Sequence, residues 1–127
     1  MSLKATLAAA LALCALNLPM APAHAHAEHG KPQFGGVVAE AGEVQFEIVS
    51  KDGKITVHVS NHENPVDVGG ASGKLLILSG AERSEVQLKP AGGNRLEGAG
   101  SIASGAKLLV TLQWPGKKPL QGRAVMR

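Results

Sequence analysis

Residues 44–60 read VQFEIVSKDGKITVHVS, and this stretch decides the fold. Val44, Phe46 and Ile48 alternate with Gln45 and Glu47, which turns one apolar edge inward. Ile55, Val57 and Val59 alternate in the same way with Thr56, His58 and Ser60. Between the two runs lies Lys51-Asp52-Gly53, where glycine supplies the positive φ of a tight turn. The spacing predicts an antiparallel β-hairpin.

The same grammar continues outward. Val37 to Glu40 is a candidate first strand, and Asn61 to Asp67, with Pro65, reads as a polar loop. Lys74 to Leu78 is continuously apolar from Leu75 on, as expected for a central strand covered on both faces. Glu85 to Leu88 follows, then Pro90, an Ala91-Gly92-Gly93-Asn94 turn and a short strand around Leu96. Lys107 to Trp114 places Leu108, Val110, Leu112 and Trp114 on one side, with Trp114 expected in the core. Pro115 to Pro119 turns the chain into a last strand from Gln121 to Met126. No stretch carries a 3.6-residue period. Seven to eight short strands with turns every 8 to 12 residues predict an all-β fold, an antiparallel β-sandwich of Ig-like size over 36–127.

The amino-terminal residues are a different polymer. Lys4 precedes an Ala- and Leu-rich stretch from Ala5 to Leu18, and Pro19 and Pro22 lead to small-residue cleavage sites. We read 1–25 as a signal peptide cleaved after Ala25, with Ala23 and Ala27 as the competing positions. The apolar stretch is too short to span a bilayer, so no membrane anchor is expected after cleavage. The destination this implies is the periplasm. Cleavage would also remove Cys14, the one cysteine, and with it thiolate ligation, disulfides and thiol catalysis.

All ten acids and 12 of the 13 Lys and Arg residues lie after position 25, giving the mature chain a net charge of +2 with both signs interspersed. With three scattered aromatics, that argues against nucleic acid, which favours clustered cations and stacking platforms. An enzyme is not expected. Ser72 lies in Gly70-Ala71-Ser72-Gly73, without the spacing of a nucleophile elbow, and no phosphate-binding glycine loop is present.

Histidine is the remaining lead. Residues 26–35 form a breaker-rich stretch, read as a flexible arm, that offers His26, Glu28 and His29 within four residues. With imidazole and carboxylate as the only donors, Cu(II) or Zn(II) is the expected cation. If His26 is the new amino terminus, its amine and ring chelate together; cleavage after Ala23 would instead place His26 third, a square-planar arrangement. His62, beside Glu63, is the candidate additional ligand, and His58 and Asp67 are weaker ones. Against these stand plainer roles. His62 would bond the Pro65-Val66-Asp67 turn, His58 would lie exposed beside Thr56 and Ser60, and Asp67 would anchor its own loop.

Much of the mature chain resembles a family of small exported proteobacterial proteins and a region of adaptor subunits of RND heavy-metal efflux systems. The residues that carry the likeness are His29-Gly30-Lys31, Gly35-Gly36-Val37-Val38-Ala39-Glu40 and Phe46-Glu47-Ile48-Val49. Asn61-His62, Pro65-Val66-Asp67, Gly70-Ala71-Ser72-Gly73-Lys74 and Pro90-Ala91-Gly92-Gly93-Asn94 continue it. His58 departs from the pattern, which has an aromatic residue there. The resemblance implies a role in metal resistance or homeostasis, with a periplasmic component of a metal efflux system as the expected partner. A metal-free module that binds another periplasmic protein is the alternative.

Overall fold

The Asp52-Gly53 corner forms as the spacing predicts, with φ of 53° and 76° at the two central residues. It joins β2 (Val44–Lys51) to β3 (Lys54–Asn61) in register from Val44 opposite Asn61 to Lys51 opposite Lys54. Phe46, Ile48, Ile55, Val57 and Val59 all point inward and are fully buried. The structure, a computed structural model, describes residues 30–127. Residues 1–25, read above as a signal peptide with its cleavage sites, and the candidate ligands His26, Glu28 and His29 lie outside the described residues.

The other strands are β1 (Val37–Ala41), the two-residue β4 (Asn64–Pro65), β5 (Ser72–Ser79), β6 (Glu82–Pro90), β7 (Arg95–Ala99), β8 (Lys107–Gln113) and β9 (Leu120–Val125). Every pairing is antiparallel. No helix occurs among the described residues. The all-β antiparallel architecture is thus present, with nine strands in one sheet ordered β1-β2-β3-β7-β6-β5-β8-β9 and β4 appended to β3. The two halves are continuous because β6 is long: it pairs with β5 through Leu88 and with β7 at Lys89 and Pro90.

The ends of the sheet nearly meet, which makes it almost a barrel. Gly122 of β9 is the point of approach. A Cβ there would stand 3.1 Å from both the Ala39 Cβ and the Glu40 carbonyl oxygen of β1. The interior between the halves is filled by alternating residues from every long strand, including Leu75, Leu96, Val110 and Leu112.

Two expectations change. Lys74 to Leu78 is central, between β6 and β8, but only its inner face is covered: Leu75 and Ile77 are buried while Leu78 is 40% exposed. A single sheet closing on itself has no second layer outside it, so the outer side of β5 meets solvent. Trp114 is half-buried at the rim of the core, and the Lys117 ammonium sits 6.0 Å from its ring centroid.

Candidate functional site

The polar side of the 44–60 hairpin is not a plain solvent face. Register sets Gln45 opposite Ser60 and Glu47 opposite His58, with Arg95 of β7 on the other flank of His58. Residues 31–36 fold back over these pairs. The main-chain N–H groups of Gln33, Phe34 and Gly36 donate to the Glu47 carboxylate at 2.6, 2.7 and 3.0 Å. Glu47 is 7% exposed, and three donors on one carboxylate offset what burying the charge would otherwise cost. The stretch expected to be a mobile arm is therefore anchored from Gln33 onward.

Phe34 completes the cover. Its ring stacks on the His58 imidazole with centroids 3.8 Å apart and planes 12° from parallel. His58, expected on an exposed face, is half-buried as a result. Burial lowers its pKa from the usual histidine value, with the nearby Glu47 carboxylate raising it and the Arg95 guanidinium lowering it. A groove of about 550 Å³ remains beside the arm, lined among others by Lys31, Phe34, Gln45, His58, Glu63 and Asn94.

His62 occupies a corner that the sequence hides. His62 and Glu63 are the central pair of a tight turn from β3 to β4, with φ of 47° and 71°. The His62 N–H donates to the Gln45 side-chain carbonyl at 3.2 Å, and its Nε2 lies 3.9 Å from a Glu43 carboxylate oxygen. The backbone ties the following stretch to β3, where the Val66 N–H donates to the Val59 carbonyl at 3.0 Å. Asp67 behaves as its residue type suggests: Oδ1 accepts the Gly69 N–H at 2.8 Å and stiffens its own loop.

The candidate ligands divide accordingly. Among the described residues no three His, Asp or Glu side chains stand together as a metal-holding group. His58 is engaged by Phe34 and Asp67 by its own turn, while His62 lies half-exposed beside Glu43. Glu47, Gln45 and Phe34 were not legible as site residues. The one hint is Glu47 on the hairpin's polar side next to a segment, Pro32 to Gly36, too rich in breakers to pair its own N–H groups. Comparison with protein families, with curated proteins and with solved structures found no match.

Proposed function

We propose that the protein captures a divalent cation, Cu(II) or Zn(II), in the periplasm without a catalytic step, as part of heavy-metal resistance or homeostasis. His26, Glu28 and His29 are the donors, and His62 is the candidate to complete the set. The observation that carries this reading is the anchoring of Gln33, Phe34 and Gly36 on Glu47. It tethers the donor-rich stretch four residues from a fixed point on the barrel, which limits the conformational entropy lost when the donors close on an ion. The imidazole–carboxylate set suits either cation, and square-planar nitrogen ligation would favour Cu(II).

The resemblance of the chain to a region of heavy-metal efflux adaptors supports the same context, with a periplasmic efflux component as the acceptor of the ion. The test is electron paramagnetic resonance of the Cu(II)-loaded mature protein, alone and after replacing His26 and His29 with Gln. Nitrogen hyperfine structure that disappears in the double variant supports the reading. A spectrum of aqueous Cu(II) in the unaltered protein, or one unchanged in the variant, rejects it.

A further inference from the structure

The outside of β5, β8 and β9 carries a second surface, bordered at the β9–β1 seam by a groove that Gly30, Val38 and Glu40 line together with Leu109, Gln121 and Arg123. Register sets Leu76 beside Leu109 and places Lys107 between Leu78 and Val125. Leu78 is 40% and Val125 57% exposed. Lys74, Arg83 and Arg123 stand around them, all exposed. Among β5, β6, β8 and β9 the register turns Glu85 to this side, where it already faces two cations, Lys74 and Arg83, at 3.9 Å each. From Gly98 to Arg127 the chain has five Lys and Arg and no acid. Two of the five, Lys117 and Lys118, project from the β8–β9 turn. Glu40 of β1 lines the groove at the edge of this face with Leu109 and Arg123, and cations remain in excess around it.

We propose that the outer face of β5, β8 and β9 docks peripherally on a bilayer surface bearing anionic phospholipid headgroups. Charge complementarity selects the partner: an excess of cations faces a layer of phosphates. The apolar centre distinguishes a bilayer from an acidic protein. It is aliphatic throughout (Leu76, Leu78, Leu109 and Val125), whereas the centres of protein interfaces favour Trp, Tyr and Arg seated in pockets. Aliphatic side chains enter the headgroup boundary without needing a shaped partner, and the long Lys and Arg stems reach the phosphates around them. Such docking would hold a metal carrier at the membrane where an efflux complex sits, yet the cations and the aliphatic centre of the face include none of the proposed metal donors.

The experiment is flotation of the mature protein with vesicles of phosphatidylglycerol and phosphatidylcholine, and with phosphatidylcholine alone. The expected result is binding to the anionic vesicles, weakened by salt and at least about tenfold weaker in Lys107→Glu/Arg123→Glu. Leu78→Ser should weaken it too, while Lys51→Glu on the opposite side should leave it unchanged. The proposal fails if the unaltered protein does not float with anionic vesicles at low salt, or if Lys51→Glu loses as much binding as the Lys107 and Arg123 pair. It fails equally if polyglutamate binds the same face and the vesicles do not.

Discussion

The ring of Phe34 lies on the imidazole of His58, 12° from parallel with the centroids 3.8 Å apart. This contact fastens the arm to the middle of β3, and the Glu47 carboxylate fastens it to β2 through the N–H groups of Gln33, Phe34 and Gly36. The anchor of residues 33–36 is therefore built from three side chains, two of them a cross-strand pair.

Glu47→Gln keeps the shape and removes the charge. Hydrogen bonds to a charged acceptor contribute about 1.5–3 kcal/mol each, and the amide can still accept some of them. The expected loss is about 2–4 kcal/mol in urea unfolding, with amide exchange of Gln33, Phe34 and Gly36 at least about tenfold faster. Unchanged protection of those three amides would contradict the anchor.

The lowered pKa of His58 makes stability depend on pH. The unfolded chain takes up a proton near 6.5, whereas the folded chain resists it, chiefly because burial disfavours the charged ring. The contribution is fully present above 6.5 and is lost as pH falls from there toward the folded-state value. His58→Phe preserves stacking and removes the titration, so the difference in unfolding free energy between the two proteins should change below pH 6.5 and be flat above it. A constant difference across that range would contradict the account.

Glu63 holds φ of 71°, a left-handed conformation that disfavours residues with a Cβ. Glu63→Gly should stabilise the β3–β4 turn by about 0.5–1 kcal/mol, the relief of strain less the added freedom of the unfolded chain. Thermal unfolding reads this as a raised midpoint. A lowered one would show that the Glu63 side chain contributes more than its backbone conformation costs.

Gly122→Val tests the closure between β9 and β1. A side chain there meets Ala39 and the Glu40 carbonyl, so the seam must open or the strands shift. Overpacking of this kind costs about 1–3 kcal/mol. Denaturant titration showing no loss would mean that the two strand ends do not hold each other.

How much of this was legible in the sequence follows from the range of the forces involved. The 44–60 hairpin was, because period-two alternation and an Asp-Gly corner are local signals that the tertiary structure only had to agree with. Lys107 to Gln113 was legible for the same reason. The exposure of Leu78 was not, since a run of apolar residues on β5 reads alike whether its outer side is covered or bare. The anchoring of 33–36 was not, because its acceptor lies 11 to 14 residues along the chain. The turn at His62-Glu63 was hidden because neither residue advertises a positive φ, and the sequence reads there as an open polar loop.

The central claim is that the amino-terminal histidines capture a divalent cation from a fixed point on the barrel. Calorimetric titration of Cu(II) and of Zn(II) tests it most directly. The comparison is between mature protein, its first residue established by mass spectrometry, and the same chain without residues 26–29. The account predicts that the tighter binding event disappears on deletion while the unfolding midpoint barely moves. Equal affinity with and without those residues would contradict it and turn attention to His62, and heat-silent titrations of both proteins would leave the metal-free interaction module in its place.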